Sequence, residues 1–396
     1  MILPTAQQFL SSQLLSQLQP LGNKAAMELP YSRSILPRQP LYLVLILFTI
    51  IIIATIALRM EQYMSGWYST GKFVKYHMDM TPAFYMQNAP VREIPTQDLG
   101  YNAVILYLIS VYHLRDLMLS LSYLYTNVPM HPWPIILFYA DDMDDTVLRT
   151  EFMLRLYDFL GGSQDVRWFM NRIEFIRIEW ALPWGISHDK VKVDPVFIDH
   201  WPGYHLMCGF FASHIFDHPR LRDVTYYMRL DTDSYIFKPV CYDPIALFHE
   251  RNRTYGYRSR TTDPAWVTIG MWDLTDEFVS ARPGVERTLC ENGWEWPSGR
   301  VKGKMGEDAF PTYYNNFEIV KLEAFRRPDV REWLDEIERV PERIYKYRWG
   351  DAPIRYATVN MYFDVKKDVE EYCGIQYWHN GVQGNKCACE DQKRDR

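Results

Sequence analysis

Apolar residues in this chain arrive in short runs of strand length, alternating with stretches at helical spacing. Residues 103–109 (AVILYLI) are uniformly apolar, as expected of a strand buried on both faces. Over 114–125, leucines, a methionine and tyrosines recur every three or four positions, which predicts a helix. The same reading gives a strand over 134–139, a helix over 147–160 and a strand over 172–178. Strands that alternate with helices predict an α/β fold with a parallel, nucleotide-binding type of sheet. Further along, the pattern predicts a strand over 224–230 and helices over 317–326, 330–340 and 352–363.

One segment breaks this rhythm. Residues 41–58 (LYLVLILFTIIIIATIAL) carry no charge and are bracketed by Arg38 and Arg59. A run of that length can cross a bilayer, and it is too long and too far from the N-terminus for a cleaved signal peptide. We therefore expect a cytosolic tail over 1–40, a transmembrane signal anchor over 41–58, a stem over 59–99 broken by Pro82, Pro90 and Pro95, and a lumenal domain over 100–396. All six cysteines and the one glycosylation sequon, Asn252-Arg253-Thr254, follow the anchor, which suits an oxidising lumen. The net charge of −6 and the lack of a polybasic block argue against a nucleic-acid partner. Aromatic residues make up 15% of the chain, a level that suits both core packing and stacking on sugars.

The candidate chemistry begins where the strand over 224–230 ends. Asp231-Thr232-Asp233 follows at once, and a second apolar run, 235–237, comes straight after. Two carboxylates at the carboxyl end of a strand suit Mg²⁺ or Mn²⁺, which leave coordination positions open for substrate phosphates. An ordinary acidic turn is the competing reading. Asp142-Met143-Asp144 looks similar, but it precedes a predicted helix, where acids cap free N–H groups.

The blocks around this pair resemble a family. Tyr204-His-Leu-Met207-Cys208, His218-Pro219 and Tyr226-Tyr227-Met-Arg229-Leu-Asp231-Thr-Asp233 are similar to the fungal Golgi α-1,2-mannosyltransferases of glycosyltransferase family 15. So are Cys241-Tyr242-Asp243-Pro244, Asn315-Asn316-Phe317-Glu318-Ile319, Arg348-Trp349-Gly350-Asp351-Ala352-Pro353 and Ile375-Gln-Tyr377-Trp378-His379, in the same order. The resemblance implies a GT-A type fold with a central mixed sheet, GDP-mannose as donor and Mn²⁺ as cofactor. It also implies retaining transfer to a mannosyl acceptor on a protein- or lipid-linked glycan. By the same carry-over Asp231, Asp233 and His379 are metal ligands, Glu318 is the catalytic acid, and Tyr204 and Asp233 meet substrate.

The competing readings are a helix's first turn for Glu318, an ordinary hydrogen-bonded histidine for His379 and core packing for Tyr204. The chain also departs from the family. Asp-Thr-Asp replaces Glu-Pro-Asp, and Gly209 and Ser110 stand where arginines are expected. Those losses keep open another nucleotide-sugar donor, or a catalytically silent glycan-binding protein of the same fold.

Overall fold

The computed structural model describes residues 99–129, 132–294, 300, 302, 308–379 and 382–383. The tail and anchor, and all of the stem but its last residue, lie outside the described residues. Among the described residues, no helix is long and apolar enough to cross a membrane.

The chain opens with β1 (Ala103–Ile109), helix α1 (Leu114–Asn127), β2 (Ile135–Tyr139), helix α2 (Thr146–Phe159) and β3 (Ile173–Arg177). Every boundary lies within one or two residues of the periodicity-based expectation. Helix α3 (Gly203–Ala212) leads to β4 (Tyr226–Leu230) and the short β5 (Tyr235–Ile236). Then come β6 (Tyr255–Tyr257), β7 (Arg260–Asp263), β8 (Phe310–Tyr313) and β9 (Phe317–Lys321). Helices α4 (Pro328–Glu338) and α5 (Asp351–Tyr362) precede β10 (Val369–Glu371), β11 (Tyr377–His379) and β12 (Val382–Gln383).

Seven strands form one mixed sheet in the order β10-β6-β9-β4-β1-β2-β3. β4, β1, β2 and β3 run parallel, whereas β9 is antiparallel to both β4 and β6. Alternation along β1 sends Val104 and Leu106 into one core and Ala103, Ile105 and Tyr107 into the other. Leu117 and Leu121 of α1 and Phe152 and Leu156 of α2 join the second core. Leu206 and Phe210 of α3, Trp333 of α4 and Ile354 of α5 join the first. The sheet is thus covered on both faces, which is why β1 and β2 read as continuous apolar runs.

The helix expected over 317–326 is a correction. Residues Phe317–Lys321 form β9, and only Leu322–Phe325 are helical. Phe317 and Ile319 pack into one core and Val320 into the other, a two-residue period. The stretch also fits helical spacing, but pairing on both edges decides for strand.

The second acid cluster is structural. Asp145 caps α2 by accepting from the Val147 amide at 2.8 Å. Asp142 accepts from the Ser110 hydroxyl at 2.7 Å and the Val111 amide at 2.9 Å, and Asp144 pairs with Arg177 at 2.9 Å. Asp145→Ala is expected to lower the unfolding free energy by about 0.5–2 kcal/mol, read as a lower urea midpoint. Cys241 and Cys373 are disulfide-bonded, and Cys208 and Cys290 are free thiols.

Candidate active site

β1 and β4 are parallel neighbours, yet β1 continues to β2 on one side while β4 is added on the other. At such a reversal of strand order a crevice opens beyond the carboxyl ends. Ser110 follows β1 into that crevice and Asp231 follows β4. The acid turn is tight, with the Ser234 amide donating to the Asp231 carbonyl at 3.0 Å. The loop between β8 and β9 holds it in place. Asn316 accepts at its carbonyl from the Asp231 amide at 3.2 Å and from the Ser234 hydroxyl at 3.1 Å. The Asn316 side chain accepts from the Tyr377 hydroxyl at 2.6 Å.

The histidine reaches this turn by strand pairing. β5 leaves the turn and runs antiparallel to β11, with Ile236 opposite Tyr377 and Tyr235 opposite Trp378. One step further along that register lies His379, whose Nε2 is 3.0 Å from Asp233 Oδ1. Its other nitrogen, Nδ1, is 2.6 Å from the Tyr314 hydroxyl. A carboxylate and an imidazole that are distant in sequence therefore meet at the mouth of the crevice.

Asp231 is held differently. Its Oδ1 accepts from Arg229 Nε at 3.0 Å. The buried Arg229 guanidinium also donates to Asp351 at 2.5 Å and lies 3.5 Å over the Phe211 ring. Asn315 donates to the same Asp351 oxygen at 2.8 Å. Burial pushes the Asp231 carboxyl above its ordinary value, and Arg229 and His379 pull in the opposite direction.

Glu318 lies on β9 directly across from Arg229 and is 0% exposed. Its Oε1 accepts from the Tyr227 hydroxyl at 2.7 Å and its Oε2 from Arg355 Nε at 3.2 Å. Arg355, on α5, is itself fully buried between the rings of Phe216 and Phe325. Tyr204 stands apart from the acid turn. It bonds Arg348, which in turn pairs with Asp263 at 2.9 Å. The structure thus brings Asp233 and His379 together, seats Asp231 beside them, and puts Glu318 in the sheet below.

Four residues that sequence reasoning missed complete the arrangement: Arg229, Arg355, Tyr227 and Tyr314. The signal was present for Arg229, the one charged residue in the otherwise apolar and aromatic strand 226–230. A buried cation in such a setting requires an acid partner.

Among the described residues, no three His, Cys, Asp or Glu side chains gather closely enough to enclose a metal ion. The Asp233–His379 pair nevertheless fits a metal held partly by substrate. It supplies one oxygen and one nitrogen donor, and the second imidazole nitrogen is already fixed by a hydrogen bond.

The mixed sheet, the acids that follow its central strand and the histidine delivered by a returning hairpin define the α/β fold of glycosyltransferases. Core-mannan synthase A (CmsA/Ktr4) from Aspergillus fumigatus, in its Mn/GDP form, shares the fold at a TM-score of 0.58 and 22% identity over 74% of this chain and 80% of that one. Ktr4p from S. cerevisiae does so at 0.59 and 20% identity over 80% and 83%. The profile of one family, described as Glycolipid 2-alpha-mannosyltransferase, matches residues 187–395, more than half of the sequence, and the chain belongs to that family. O-glycoside alpha-1,2-mannosyltransferase homolog 2 of Schizosaccharomyces pombe is 27% identical over 229 residues, 55% of this chain and 59% of that protein. Probable mannosyltransferase KTR3 of Saccharomyces cerevisiae is 26% identical over 237 residues, 54% of this chain and 55% of that protein. The match therefore spans somewhat over half the length of these relatives.

Proposed function

We propose that this chain is a Mn²⁺-dependent, retaining mannosyltransferase that moves mannose from GDP-mannose to a mannosyl acceptor on a protein- or lipid-linked glycan. The linkage expected is α-1,2. The working location is the Golgi lumen, with the segment 41–58 as a single-pass anchor. Family membership supports the class of reaction. The observation that carries the mechanism is the 3.0 Å approach of His379 to Asp233 beyond the carboxyl end of β4.

In this reading Asp233 and His379 hold Mn²⁺, with Asp231 beside them. The ion supplies positive charge to the departing diphosphate. Arg229 fixes Asp231 from behind, so the acid turn presents one set geometry to the donor. Tyr204, bonded to Arg348, would meet the substrate. Glu318 is the catalytic carboxylate. Its oxygens are committed to Tyr227 and Arg355, so it serves best as a fixed negative charge opposing the cation that develops at the anomeric carbon.

One observation favours a second reading, in which the donor is another nucleotide sugar. Ser110 stands where an arginine was expected and donates to Asp142, so the crevice wall carries an acid in place of a cation. The test is to incubate the full chain with Mn²⁺, an α-mannoside acceptor and a panel of nucleotide sugars. An α-1,2-mannosyl product from GDP-mannose alone is expected. Product from a different donor selects the second reading, and no product from any donor with folded protein leaves a glycan-binding role.

A further inference from the structure

The Tyr314 hydroxyl is bonded to the histidine beside the acid turn. Tyr314 lies immediately before Asn315 and Asn316, the two residues that hold Asp351 and the turn. Its oxygen is 2.6 Å from His379 Nδ1, and the two rings meet edge-on at 5.3 Å between centroids. The Asn316 side chain is a second hydrogen-bonding neighbour of the same hydroxyl.

A neutral imidazole carries one N–H, so its two nitrogens cannot play the same role. As the residues stand, Nε2 faces the Asp233 carboxylate, an acceptor. In the neutral ring the proton then sits on Nε2, and Nδ1 accepts from the Tyr314 O–H. For Nε2 to offer its lone pair to a cation, the proton must sit on Nδ1 instead, and the Tyr314 oxygen must then accept it. A hydroxyl can take both parts, whereas a carbonyl or carboxylate can only accept.

We infer that Tyr314 is the positioning residue of His379, its hydroxyl reversing between donor and acceptor as His379 changes from a partner of Asp233 to a metal ligand. Asp233 loses its N–H partner at the moment it too is needed as a ligand. The inference rests on the proposal that Asp233 and His379 bind metal.

The test is Mn²⁺ binding by the full chain in the presence of GDP, followed by the spin-resonance signal of the free ion. Tyr314→Phe keeps the ring and removes the hydroxyl. It is expected to weaken Mn²⁺ binding by about 10–100-fold, with metal-free GDP affinity unchanged. Metal binding lost in His379→Ala but unchanged in Tyr314→Phe overturns this inference alone. Metal binding unchanged in His379→Ala, or absent in the unaltered chain, overturns the metal assignment and the inference with it. A second arm needs no variant: nitrogen NMR of His379 in the unaltered chain. The proton is expected on Nε2 without metal and on Nδ1 with GDP and diamagnetic Mg²⁺. A proton that stays on Nε2 in the saturated complex overturns the inference.

Discussion

Glu318→Gln is expected to lower kcat by about 100–1000-fold while GDP affinity stays close to that of the unaltered chain. Glutamine also removes the charge opposite Arg355, but it keeps an oxygen that can accept from Tyr227 or Arg355 and fills the same space, so it costs less stability than removing the side chain. Glu318→Ala is a poorer probe. It leaves the Arg355 guanidinium, which is 0% exposed, without its ion-pair partner. Removing one member of a buried pair costs about 3–5 kcal/mol, a large part of a typical domain's stability. Lost activity in that variant would then report unfolding. Comparing kcat at saturating donor with the urea midpoint separates the two effects. A glutamine variant with full turnover would reduce Glu318 to a structural residue.

Asp233→Asn is expected to lower GDP affinity in the presence of Mn²⁺ by more than about 100-fold, because changes outside the ligands alone cost 10–100-fold. Calorimetric titration with and without Mn²⁺ checks it. The loss should vanish when metal is left out, since only the metal-dependent part of binding passes through this carboxylate. Asp231→Asn should act less selectively. Its oxygen is tied to Arg229, and losing the charge leaves that buried cation resting on Asp351. Stability should fall along with affinity. Equal, purely metal-dependent losses in both variants would mean that the two acids share the ion equally.

Much of this architecture was legible in the sequence because the first two strands are buried on both faces and therefore uniformly apolar. The acid pair was legible because it sits between two strand-like runs. His379 could be tied to it only through a family resemblance, since the pairing of β5 with β11 joins residues more than a hundred positions apart. Periodicity failed over Phe317–Lys321, where a segment short enough for either structure was decided by partners on both edges. Glu318 was consequently read with a helix start as its competing context, when it is a strand residue in a buried charge network. Tyr314 carried no signal, because a tyrosine beside two asparagines reads as an ordinary loop.

The two halves of the proposed site belong to bodies of unequal strength. Asp231 and Glu318 are rooted in or beside a seven-stranded sheet with a helical layer on each side. His379 ends a three-residue strand in a three-stranded sheet whose outer member, β12, is two residues long. β11 is flanked by two strands of two residues each, β5 and β12, and elements that short are among the first parts of a protein to open. If Asp233 and His379 hold Mn²⁺ as proposed, mild stress on this chain should therefore release the ion while the domain is still folded.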